Sequence, residues 1–226
     1  MLYLLLIGLA IASFAIQARL RSKFAQYAQV PLRSGLSGRE VAAKMLADHN
    51  IRDVQIISTD GQLTDHYNPA DKTVNLSADV YAGRSATAAA VAAHECGHAV
   101  QHADAYSFLQ FRSALAPALS SVSRFMPILL LAGVLLLRVT PIPLTLAVAV
   151  FALATLFSFI TLPVEFDASR RALAWMDSSG IVTTQEHAGA KDALWWAAMT
   201  YVVAALSSLA TLLYYVSIFM GGSRRN

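Results

Sequence analysis

Residues 193–220 contain no charged side chain. An α-helix needs about 20 residues to cross the roughly 30 Å hydrocarbon core of a bilayer, so this run of 28 is long enough to span one and far longer than a soluble core requires. Trp195, Trp196, Tyr214 and Tyr215 lie toward its two ends, where an aromatic belt would sit. Residues 144–162 form a second uncharged run of 19, set between Pro143 and Pro163, and read as another span. Charged residues make up 14% of the chain and hydrophobic ones 56%. A typical soluble domain is about 25% charged, so the shortfall agrees with a lipid environment.

Two further apolar blocks are less regular. Residues 2–16 are followed by Arg19, Arg21 and Lys23, the reverse of a cleavable signal's charge order, and read as a retained anchor; their shortness leaves a signal peptide as the alternative. Residues 115–137 are interrupted by Pro117, Arg124 and Pro127, leaving 13 uncharged residues from Phe125. As helix that remnant covers only about 20 Å, so a span here must extend backwards with Arg124 facing protein or the surface.

Four spans put residues 19–113 and 163–192 on one side of the membrane. With the start of the second block, these segments hold 14 of the 17 Lys and Arg residues. The positive-inside rule therefore places them in the cytoplasm, against the pull of Arg224 and Arg225 at the other end. The basic residues flank apolar blocks, so the net charge of +3 describes a membrane protein and predicts no nucleic-acid partner. Cys96 is the sole cysteine, which excludes an intrachain disulfide.

Within the first polar segment, Ser37-Gly38-Arg39-Glu40 has the form of a capping box, and Val41, Met45 and Leu46 follow at helical spacing. Residues 53–58, 63–67 and 73–77 read as short strands separated by the turn formers Asp60-Gly61 and Asn68-Pro69, predicting a small antiparallel sheet. Ser85 can then cap a helix over 86–103, rich in alanine and free of proline.

That helix carries His94-Glu95-Cys96-Gly97-His98. Residues four apart share a helical face, so His94 and His98 can present two imidazoles to one zinc ion, with Glu95 beside them as general base. Cys96 points away from that face and reads as a packing residue. A catalytic zinc takes three protein ligands and leaves a position open. The metzincin pattern is absent, since its remaining positions are Gln101 and Asp104. No glutamate occurs between Glu95 and Glu165. Glu165 is therefore the leading third ligand, returned to the active-site side by the preceding pair of spans; Asp104 and His102 remain alternatives. Asp167 and His102 are candidates for orienting the ligands, and Arg170, Arg171 and His187 for stabilising an oxyanion. The strand at 73–77, through Val74 and Asn75, is a candidate for binding an extended substrate by strand addition.

These residues together resemble a family. Asp65-His66-Tyr67-Asn68-Pro69, Val74-Asn75-Leu76-Ser77, Gly83-Arg84-Ser85, the run Ala92 through His102 and Leu162-Pro163-Val164-Glu165-Phe166-Asp167-Ala168-Ser169 look like the YugP-type neutral zinc metallopeptidases of bacterial membranes. The resemblance implies a gluzincin with His94, His98 and Glu165 on zinc and Glu95 as base. More distantly the chain is similar to HtpX-type membrane peptidases, whose downstream motif is Glu-x-x-x-Asp; Ser169 stands at the last position, so the Asp role does not carry over.

The sequence thus predicts an α+β zincin-like catalytic domain integrated with about four membrane helices: an anchor at 1–18, a catalytic segment at 19–113, a two-helix hairpin at 114–162, a polar segment with the third ligand at 163–192, and a last helix and tail at 193–226. It predicts one zinc ion, peptide or protein substrates, lipid contact, and residence in a bacterial inner membrane with the active site toward the cytoplasm. A membrane scaffold keeping zinc for stability, and a zinc hydrolase acting on another bond, are the alternatives.

Overall fold

Ser37 starts the first helix of the polar region as its sequence requires. Its hydroxyl accepts from the Glu40 N–H while its own N–H donates to the Glu40 carboxylate at 2.8 Å, closing a capping box on α2 (Gly38–Asp48). These contacts come from a computed structural model, which describes residues 2–136 and 139–223. Along the chain α2 is preceded by α1 (Leu2–Ala28) and followed by β1 (Gln55–Thr59), β2 (His66–Asn68), β3 (Thr73–Ser77), α3 (Ala78–Ala82) and α4 (Ala86–Ala103). Then come α5 (Ser107–Ser123), α6 (Met126–Leu135), α7 (Ile142–Ser178) and α8 (Thr184–Ser223).

The chain divides into two compact units, one of residues 16–110 and 163–199, the other of residues 1–15, 111–162 and 200–226. In the first, a mixed sheet replaces the antiparallel one that the turn residues predict. Its order is β1-β3-β2, with β3 antiparallel to β2 but parallel to β1. The reason lies in the two connections. Asn68-Pro69 sits in a tight reversal between neighbours, whereas residues 60–65, with left-handed Gly61 (φ 98°) and Leu63 (φ 57°), carry the chain past the position that β3 fills. The apolar core gathers Val41 and Met45 from α2, Leu76 from β3, Cys96 from α4, and Ala172 and Met176 from α7. Cys96 is fully buried there, and burial pushes its thiol up from its ordinary value.

In the second unit, large apolar side chains stand in the open: Leu4 is 73% exposed, Ile128 66% and Leu153 39%. Among the described residues three helices, Tyr3–Ala28, Ile142–Ser178 and Thr184–Met220, are long and apolar enough to cross a membrane. At most 22% of the most apolar window of each is buried within the protein, so the protein itself does not cover that apolar surface. The block at 115–137 is broken: α5 and α6 meet at 55° across residues 124 and 125, and make a fourth span only if taken together. Leu137, its last residue, lies outside the described residues. Pro163 does not end α7, which runs through it and brings Glu165 into the same helix as the uncharged run.

Candidate metal centre

α4 begins where Ser85 Oγ accepts from the Ala88 N–H at 3.3 Å, and it is buried along nearly its whole length. His94 and His98 emerge on one face, their rings edge to face with centroids 4.9 Å apart. α7 packs against that face. A Cβ on Gly97 would come within 2.6 Å of the Ala168 carbonyl oxygen, so only glycine allows the α7 backbone so near. With Ala168 fixed against α4, helical spacing turns Glu165 and Ser169 toward the histidines.

Glu165 Oε2 lies 3.2 Å from His94 Nε2 and 3.7 Å from His98 Nε2. The ligating atoms of the three residues all fall within 4.8 Å of one another, and Glu165 is only 2% exposed. This arrangement fits a zinc ion. Bonds of 2.0–2.2 Å in a tetrahedron set ligand atoms about 3.4 Å apart, a value that the separations of 3.2 and 3.7 Å bracket. Two imidazoles and a carboxylate are also donors zinc accepts readily.

The outer nitrogens of both rings are held as well. Gln101 donates its amide N–H groups to the Val164 carbonyl at 2.8 Å and to Asp167 Oδ2 at 2.9 Å. Both partners only accept, so the amide orientation is fixed and Gln101 Oε1 must face His98 Nδ1, 3.0 Å away. His98 Nδ1 therefore carries the proton, leaving the Nε2 lone pair toward Glu165. Ser169 Oγ stands 3.1 Å from His94 Nδ1 and can accept from it in the same sense. In the sequence, Gln101 marks the absence of the metzincin pattern and Ser169 the departure from Glu-x-x-x-Asp, and neither stands out as a partner of a histidine. The signals were a polar residue three positions after His98 and a hydroxyl four after Glu165.

Glu95, next to His94 in α4, is buried. Burial pushes its carboxyl up to about 7, opposed by the His94 imidazole, with the Glu165 and Asp65 charges adding to the rise; the Tyr67 backbone N–H donates to it and opposes the rise.

The other sequence-predicted residues are dispersed around this cluster. Asp167 does not touch a ligating ring; it accepts from Gln101, from Arg170 and from Arg171 Nε at 2.6 Å. Asp104, 56% exposed, pairs with Arg171 and stands outside the cluster. His102 pairs with the Tyr67 hydroxyl at 2.7 Å, and His187 Nε2 donates to the Leu173 carbonyl at 3.2 Å. Val74 is fully buried and Asn75 turns its amide to Thr73 and to the His66 carbonyl. Strand addition to β3 is overturned by the sheet order, because β1 and β2 already occupy both of its edges.

A family profile described as "Putative neutral zinc metallopeptidase" matches residues 2–220. The chain is 42% identical over 214 residues to the protein called "Putative membrane protease YugP" of Bacillus subtilis, covering 95% of this chain and 94% of that one. No solved structure matches significantly. A match along almost the entire chain, joined to a His-His-Glu group of the right spacing, means that this chain belongs to the neutral zinc metallopeptidase family.

Proposed function

We propose that the chain is a membrane-embedded zinc endopeptidase that hydrolyses peptide bonds of membrane-associated or unfolded proteins near the bilayer surface, with His94, His98 and Glu165 holding the metal and Glu95 as general base. The observation that carries the reading is the convergence of three ligating atoms from α4 and α7 within 4.8 Å, beside a buried carboxylate. Zinc at such a site supplies a Lewis acid that polarises the scissile carbonyl and makes water acidic enough to lose a proton near neutral pH.

The protein's own groups do the rest. The Glu95 carboxylate accepts the proton of the attacking water and returns it to the leaving amine nitrogen. The Tyr67 N–H holds the carboxylate in place for both transfers. Gln101 keeps the His98 ring in the tautomer that binds a cation, and Ser169 can accept from His94 Nδ1 in the same sense. Because Tyr67 belongs to β2, the outer edge of β2 is the sheet edge that adjoins Glu95, and an extended peptide lying along it would pass the centre.

Glu165 follows Leu162, the last residue of an uncharged run, by three positions. This supports a centre close to the bilayer surface, and the distribution of basic residues supports the cytoplasmic face.

Glu95→Gln tests the reading. Purified wild type should cleave an unfolded protein substrate, lose that activity to a chelator and regain it with zinc. The variant should keep its zinc and lose hydrolysis by several orders of magnitude. Glu165→Ala should lose zinc. Full activity in Glu95→Gln, or full zinc in Glu165→Ala, would overturn the assignment.

A further inference from the structure

The stretches of α7 and α8 that lie in the same unit as the metal centre enclose a groove of about 430 Å³. Its polarity changes along its length. At one end Phe166 and Trp195 meet at a tilt of 58° with ring centroids 6.4 Å apart, yet they remain 37% and 53% exposed. One turn farther along α7 and α8 stand Arg170 and Lys191, and beyond them His187 and Asp177. The aromatic end is the one from which the uncharged runs begin: Leu162 closes the first four residues before Phe166, and Ala193 opens the second two residues before Trp195.

A phospholipid carries its parts in that order. Acyl chains lie deepest, aromatic side chains settle at the level of the glycerol, and the phosphate lies outward, where basic pockets between membrane helices bind anionic headgroups. We propose that this groove binds one anionic phospholipid, with its phosphate between Lys191 and Arg170 and an acyl chain along Phe166 and Trp195. Lys191 and Arg170 are the two cations of the lining and Asp177 its one carboxylate, while Asp167, which pairs with Arg170, stands outside the lining. Arg170 is 77% exposed, and its five N–H donors exceed what its ion pair with Asp167 uses. An acidic peptide would satisfy the same cations but would leave the exposed aromatic pair unexplained.

The groove also touches the surroundings of the metal centre. Ser169 lines it while its hydroxyl stands on His94, and Arg170 is tied to the Asp167 that orients Gln101.

This assignment rests on the membrane placement proposed above. The test uses the full chain, purified in detergent and reconstituted into vesicles of phosphatidylcholine alone or with phosphatidylglycerol, and native mass spectrometry counts the lipids retained after extraction. Phosphatidylglycerol should be retained in preference to phosphatidylcholine. Lys191→Gln should weaken that retention about fivefold, and Trp195→Ala should weaken retention of both lipids, with zinc content unchanged in each variant as the check on folding. Equal retention of the two lipids, full retention in Lys191→Gln, or displacement of the lipid by inorganic phosphate or by an acidic peptide would overturn the groove while leaving the membrane reading intact. Failure to integrate into either vesicle would overturn both.

Discussion

His98 Nδ1 donates to Gln101 Oε1 across 3.0 Å, and that bond decides which nitrogen of His98 is available to a cation. The decision is made elsewhere, by the Val164 carbonyl and the Asp167 carboxylate that occupy the Gln101 amide and fix its orientation. Gln101→Leu should therefore lower zinc affinity about 10–100-fold, measured by competition with a chromogenic chelator. Affinity within a factor of two of wild type would show that the ring needs no such partner.

Ser169 meets His94 as Gln101 meets His98, but with a neutral hydroxyl. Ser169→Ala removes one acceptor and should weaken zinc binding roughly fivefold, the equivalent of about 1 kcal/mol. Ser169→Asp supplies a charged acceptor and should hold zinc at least as tightly as wild type. The reverse order, with Ala the tightest binder, would mean that the hydroxyl does not support the ring.

Gly97→Ala forces a methyl to within 2.6 Å of the Ala168 carbonyl oxygen, and a backbone atom cannot swing aside. α4 and α7 must separate, at a cost of about 1–3 kcal/mol, and Glu165 moves off the histidines with them. Zinc stoichiometry after extensive dialysis should fall. Cys96→Ala, a neighbouring change directed into the core, should keep full zinc while lowering the melting temperature.

Glu95 gives the chelated protein a pH dependence. Its carboxyl titrates near 4.5 when unfolded and is raised to about 7 by burial when folded. A group that holds its proton more tightly in the folded state adds stability below the lower value and gives it up as pH rises through the higher one. Chelated wild type should thus lose on the order of 3 kcal/mol between pH 4.5 and 7 from this group. Melting temperatures at pH 5 and pH 8 check it: Glu95→Gln should show a clearly smaller drop, and an equal drop would assign the effect elsewhere.

Much of the centre was legible in the sequence because it depends on spacing along one helix. Ser85 caps α4, the four-residue separation of His94 and His98 puts two rings on one face, and the absence of any glutamate between Glu95 and Glu165 left one leading acid to complete the set. The capping box at Ser37 and Glu40 was legible for the same reason: both partners lie within one turn. The sheet was not, since turn residues fix the local reversal at Asn68-Pro69 but say nothing about which strand enters between β1 and β2. Strand addition to β3 failed with it.

The sequence by itself determined the apolar helices, the two-histidine face and the chemistry those residues can support, all consequences of periodicity and residue type over short range. Only the tertiary structure decided the phase at which α7 meets α4. That phase follows from the close approach of Ala168 to Gly97, and it brings together Glu165 on the histidines, Ser169 on His94 and Asp167 on Gln101. A contact between backbones separated by some seventy residues leaves no periodic trace in the chain, because it depends on how two helical surfaces fit and not on the order of residues in either.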